Sequence, residues 1–185
     1  MSIYTRATVL EILKASFHQF AHFDYAEKFT DNEEDERASI YRYVRNSLDM
    51  DTSWRVFLSY TTKGNTENPT LYKPDMVFLH SEDNHKTEKV EIFVEMKNWP
   101  EEEAIINDIG KLLKLKEHFS KYDPDIIFLA ILGHNFTDKS IDNIKSEIRK
   151  KIQTETSVHL FFEKHHGLFK GPWINERNTD PWRVT

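Results

Sequence analysis

Lys89-Val90-Glu91-Ile92-Phe93-Val94-Glu95-Met96-Lys97 is the run on which the fold turns. β-branched and aromatic residues dominate its middle, so it reads as a strand. A period of two sets Glu91, Phe93, Glu95 and Lys97 on one face and Ile92, Val94 and Met96 on the other. Only the second face is wholly apolar. An acid and a base at the carboxyl end of such a half-buried strand must be solvated in a cleft or paired. Pro100 and the acidic residues after it end the run.

On the N-terminal side, Leu71 to His80 reads as a strand antiparallel to this one, joined to it by the polar stretch Ser81 to Lys86. Trp54 to Tyr60 is a further strand, and Thr62 to Pro69 is a loop by composition. The acidic run Asp31 to Glu36 suits a helix N-terminus, with Asp31 or Asn32 as cap and an end near Leu48. Thr5 to Phe20 spaces Val9, Leu13, Phe17 and Phe20 as one apolar helical stripe.

On the C-terminal side, Glu102 to Phe119 carries Ile105, Ile109 and Leu112 at helical spacing and serves as a crossover. It leads to Ile126 to Leu132, an apolar run expected as a buried central strand. Ile141, Ile144, Ile148 and Ile152 mark another helix, whose wet face bears Lys145, Arg149, Lys150 and Lys151. Val158 to Phe162 is a last strand, and Gly167 to Thr185 reads as irregular. The chain is therefore expected to be one α/β domain over residues 1–185, with its core from about 33 to 162.

The 185 residues suit one core, and 38% apolar with 30% charged residues is a globular balance. No run approaches the roughly 20 apolar residues that cross a bilayer, and the polar start is no signal peptide. The expectation is a soluble, intracellular, cytoplasmic protein without membrane partners. The absence of cysteine excludes disulfides, thiol nucleophiles and zinc ribbons, so any metal is held by oxygen or imidazole. A net charge of −6 argues against nonspecific coating of nucleic acid but leaves room for a local basic face.

Pro74-Asp75 stands in one strand and Glu95-Met96-Lys97 closes its neighbour, and Glu95-x-Lys97 is the one such tripeptide in the chain. A second Pro-Asp, Pro124-Asp125, has no acid-x-Lys after it. In this context the arrangement resembles the PD-(D/E)xK nuclease superfamily over roughly Glu36 to Leu132. The resemblance implies a restriction-endonuclease-like three-layer core, a central mixed sheet of four to five strands flanked by helices. It also implies a Mg²⁺- or Mn²⁺-dependent endonuclease that hydrolyses phosphodiester bonds, with DNA ahead of RNA because most of the superfamily acts on DNA.

Asp75 and Glu95 would then hold the ion, the Met96 carbonyl is a third oxygen, and Lys97 assists the attacking water. Superfamily members often add an acid from the helix before the meander. Glu36 is favoured over Glu33 and Glu34 because it shares a face with Ile40 and Val44. Lys111 and Lys114 are weaker candidates for nucleic-acid backbone contacts. A homodimer would suit cutting of both strands.

Blander readings stand beside these. Asp75, Glu95 and Lys97 can form an ordinary ion pair between neighbouring strands. The fold can also be that of an inactive nuclease-like module that binds a protein or nucleic-acid partner. His18 and His22 sit at i and i+4 but lack the Glu of a zinc-peptidase helix, so they read as surface or core histidines. His165-His166 reads as a solvated turn, and Trp99, Trp173 and Trp182 serve either packing or base stacking.

Overall fold

A computed structural model describes residues 3–25, 32–48, 51–59, 72–81, 88–133, 136–152, 158–164 and 182–184. The loop expected at Thr62 to Pro69, Leu71, the connection from Glu82 to Lys86, the turn at His165-His166 and the side chains of Trp173 and Trp182 lie outside the described residues. Tyr72 to Asp75, expected as the first half of the second strand, are irregular, and that strand begins at Met76, after the proline that cannot donate to a ladder.

The elements run α1 (Arg6–Phe20), a π-helical turn (Ala21–Tyr25), α2 (Glu33–Leu48), β1 (Trp54–Leu58), β2 (Met76–Ser81), β3 (Glu88–Asn98), α3 (Glu102–His118), β4 (Asp125–Leu132), α4 (Asp138–Lys151), β5 (Val158–Lys164) and β6 (Trp182–Val184). Caps set several of the boundaries. The Thr5 side chain accepts from the Thr8 N–H at the start of α1, and Thr137 accepts from the Ser140 N–H at the start of α4. Of the two expected caps for α2, Asn32 serves, accepting the N–H groups of Glu34 and Asp35 at 2.9 and 3.0 Å.

The strands form one six-stranded sheet in sequential order. The pairs β1–β2, β2–β3 and β5–β6 are antiparallel, and β3–β4 and β4–β5 are parallel. The helices α3 and α4 are the crossovers that parallel neighbours require. The expected meander and mixed sheet are thus present. The tail departs from expectation: β5 continues to Lys164, and Trp182–Val184 adds a short sixth strand against β5 instead of being irregular throughout.

Two apolar layers sandwich the sheet. On one face Val9, Leu13, Phe17 and Phe20 of α1 and Ile40, Val44 and Leu48 of α2 pack on Trp54, Met76, Phe78, Ile92, Val94 and Met96. On the other, Ile105, Ile109, Leu112 and Leu115 of α3 and Ile144 and Ile148 of α4 pack on Val77, Phe93, Phe128, Ala130 and Leu160. Burying both faces explains why β4 is a continuous apolar run. The architecture is a three-layer α/β domain.

One feature of β3 corrects the simple alternation. Phe78 pairs with Ile92 but Leu79 pairs with Val90, which leaves Glu91 as the extra residue of a β-bulge. Glu91 therefore leaves the face of Phe93, Glu95 and Lys97. It accepts a hydrogen bond from Arg6 Nε of α1 at 2.6 Å instead. Beyond the bulge the alternation holds, with Phe93 in the α3–α4 core and Ile92, Val94 and Met96 in the α1–α2 core.

Candidate active site

Register brings the signature residues together. Met76 pairs with Val94, so one step before it Asp75 stands opposite Glu95 at the carboxyl end of β3. Asp75 Oδ2 accepts the Met96 backbone N–H at 2.8 Å, and its Oδ1 accepts from Arg37 Nη1 of α2 at 2.7 Å. Within an extended strand, a residue's N–H and C=O project to the same side. The Met96 carbonyl therefore projects toward Asp75, on the side where the β2 ladder has ended.

Lys97 Nζ sits among three carboxylates, 3.3 Å from Glu95 Oε1, 3.4 Å from Glu33 Oε1 and 3.8 Å from Asp108 Oδ2. Asp108 belongs to the buried stripe of α3 and also accepts from Lys111 Nζ at 2.5 Å. Lys111 lies 5.2 Å over the ring of Tyr72, and Tyr72 hydrogen-bonds to Glu95. Glu95 is only 3% exposed, and its Oε2 is buried without a hydrogen-bond partner among the described residues.

Burial, and then the neighbouring Asp75, raise the Glu95 carboxyl to about 7. Asp75 is also raised, by burial, although the Met96 N–H, Arg37 and Lys97 oppose that shift. Burial pulls the Lys97 ammonium down, but Glu95, Glu33 and Asp75 outweigh it and leave Lys97 above its ordinary value. Burial and then Glu95 push the Tyr72 hydroxyl far up. Lys97 is therefore a firmly charged cation, whereas Glu95 is poised near neutrality.

Glu36 is buried on α2 as its spacing predicts, but its Oε1 accepts from Asn98 Nδ2 at 2.9 Å. Burial and the neighbouring Glu33 raise its carboxyl to about 7. The α2 acid that reaches Lys97 is Glu33, one of the two that spacing set behind Glu36. Lys111 adjoins the site, and Lys114 is exposed one turn further along α3. Trp99 follows the tripeptide at φ 50° and is 47% exposed, with its N–H bonded to the Ile131 carbonyl.

Sequence reasoning missed Arg37, Tyr72 and Asp108. Asp108 was detectable, because it falls three residues after Ile105 and four before Leu112 on the apolar stripe of α3. An acid on a buried stripe needs a partner. Tyr72 and Arg37 carry no such periodic signal.

The arrangement offers hard oxygen donors from Asp75, Glu95 and the Met96 carbonyl, with an unsatisfied buried oxygen on Glu95. Four carboxylates, those of Asp75, Glu95, Glu33 and Asp108, face the three cations of Lys97, Arg37 and Lys111. A divalent cation with a preference for oxygen fits this donor set and charge imbalance.

Comparison with protein-family models, curated proteins and solved structures returns no match for the chain. Among the described residues no helix is long and apolar enough to cross a membrane.

Proposed function

We propose that this chain is a metal-dependent nuclease of the PD-(D/E)xK kind with a restriction-endonuclease-like core, hydrolysing phosphodiester bonds of nucleic acid, most readily as a DNA endonuclease. The observation that carries this reading is the convergence of Asp75, Glu95 and Lys97 at one rim of the sheet, with a Glu95 oxygen buried and unsatisfied. The meander followed by a parallel crossover strand supports the same reading of the fold.

Asp75, Glu95 and the Met96 carbonyl would hold Mg²⁺ or Mn²⁺. Such an ion supplies positive charge beside the phosphate and makes water a better nucleophile. Asp75 is oriented for this by Met96 and Arg37. Lys97, kept charged by its carboxylate neighbours, stabilises the negative charge that builds on the phosphate and orients the attacking water. Lys111 and Lys114 contact the nucleic-acid backbone from α3, and a two-fold dimer would present one site to each strand. The proposed setting is the cytoplasm.

A second reading is favoured by the ion pairs themselves. Asp75 is already paired with Arg37, and Lys97 with three acids, as in a self-neutralised cluster of an inactive module that binds a protein or nucleic-acid partner. Calorimetric titration of Mn²⁺ into wild type and Glu95→Ala, beside plasmid and single-strand cleavage assays, separates the two. Binding and metal-dependent cutting that Glu95→Ala abolishes are the nuclease outcome. No binding, no cutting and a melting temperature indifferent to Mn²⁺ are the outcome for the inactive module.

A further inference from the structure

A second group of ligands lies on another part of the same rim. Asn98 of β3 pairs with Ile131 of β4, and Ile131 pairs with Glu163 of β5. Two strand spacings therefore separate Asn98 from Glu163, about 10 Å of backbone. Ile131 and Phe161 belong to the α1–α2 core, and alternation puts Glu163 on that face as well.

There Glu163 meets the end of α1. His18 Nδ1 and Glu163 Oε1 are 2.8 Å apart, joining residues far separated in sequence. The His18 and His22 rings lie 4.2 Å apart between centroids, inclined at 57°. One ligand atom from each of His18, His22 and Glu163 falls within 4.8 Å of the other two. His22 sits in the π-helical turn that replaces the last α-helical geometry here, and such turns recur at functional sites.

We propose that His18, His22 and Glu163 form a binding site for a first-row transition ion of the Zn²⁺ type, separate from the Asp75–Glu95 centre. With ligand bonds of about 2.0 to 2.2 Å, a tetrahedral ion holds its ligand atoms roughly 3.3 to 3.5 Å from one another. The 2.8 Å His18–Glu163 contact is already shorter than that separation, and the three ligand atoms all lie within 4.8 Å of one another, so small side-chain rotations close the site. Two imidazoles select Zn²⁺ over Mg²⁺, and three protein ligands leave a fourth position for water or a ligand oxygen. His18 remains about half exposed, which gives the ion a way in from solvent. The bound ion clamps the end of α1 to β5.

The test uses the full chain and the metals alone. Zn²⁺ titration calorimetry and the visible d–d absorption of Co²⁺ are read on wild type, His22→Ala, Glu163→Gln and Glu95→Gln. The expected result is one Zn²⁺ per chain and a tetrahedral Co²⁺ spectrum, kept by Glu95→Gln and weakened at least about 100-fold by His22→Ala and by Glu163→Gln. Circular dichroism without metal checks each fold, and Glu163→Gln, which preserves size and a hydrogen bond, carries the test alone if His22→Ala does not fold. No Zn²⁺ binding to wild type overturns the site. Binding that Glu95→Gln abolishes while Glu163→Gln retains it also overturns the site, by moving the ion to the other centre. Failure of cleavage leaves this result untouched, because its readout is metal occupancy.

Discussion

Asp75 Oδ2 accepts the backbone N–H of Met96 at 2.8 Å, so the first acid of the candidate site is fastened to the strand that carries the second. The other Asp75 oxygen receives the Arg37 guanidinium. Asp75→Asn keeps the shape but turns one acceptor into a donor, leaving either Met96 or Arg37 facing a donor. The expected cost is about 1 to 3 kcal/mol of stability, read as a lower urea midpoint. Cleavage should fall at least about 100-fold in the same variant.

The effect of Glu95 on stability depends on pH. Its carboxyl is raised from 4.5 to about 7 in the folded chain. A raised acid contributes stability that is fully present below the unfolded value and is lost as pH rises through the folded one. Glu95→Gln should thus leave the melting temperature unchanged near pH 4 and stabilise the chain by about 1 to 3 kcal/mol at pH 8. Glu36→Gln should act in the same direction over the same window, since that carboxyl also lies at about 7. A stability gain that is independent of pH would remove titration as the cause.

Metal binding should release a proton in that window. Ions bind the carboxylate, so Mn²⁺ at about pH 6 should displace nearly one proton from Glu95, and almost none at about pH 8.5. Calorimetry in buffers of different ionisation enthalpy measures the number. The Tyr72 hydrogen bond holds the Glu95 value down against burial. Tyr72→Phe should therefore move the proton-release window upward by about half a unit to one unit.

Lys97→Ala should reduce cleavage by about 100- to 1,000-fold with the circular dichroism spectrum intact. Its ammonium is the centre of three carboxylates, so the variant should also lose stability at pH 8 more than at pH 4. Retained cutting by purified Lys97→Ala would overturn the mechanism.

Lys111 and Lys114 divide by the salt dependence of binding. If both contact the backbone of double-stranded DNA, the double alanine variant should lower the slope of log affinity against log salt by about 2, measured by fluorescence anisotropy. Lys111 is paired with Asp108, so a slope change confined to Lys114→Ala would assign Lys111 to the site's internal charge balance.

The strands of the core were legible because β-branched and aromatic residues fill the buried middle of β3 and burial on both faces erases polarity from β4. The helices α1 to α4 were legible from their apolar stripes, and Asn32 from its capping chemistry. The third short strand pairing, β6 on β5, was hidden because three residues carry too little pattern. Within the site, Asp75, Glu95 and Lys97 could be paired from their order along two strands. Arg37 and Tyr72 could not, and Glu33 could not be chosen over Glu36, because their roles depend on how α2 and the segment before β2 approach the rim. The same holds for Glu163, which meets His18 through packing that no local spacing encodes.

The bulge at Glu91 makes β3 a strand indexed in two separate halves. Val90 and Ile92 already face opposite cores, so a chain lacking Glu91 would return to plain alternation with both halves still correctly turned. One residue can be lost here without rotating Glu95 or Lys97 off the face they share. A length change that would invert any strictly regular strand leaves the chemistry downstream of this joint with its heading unaltered.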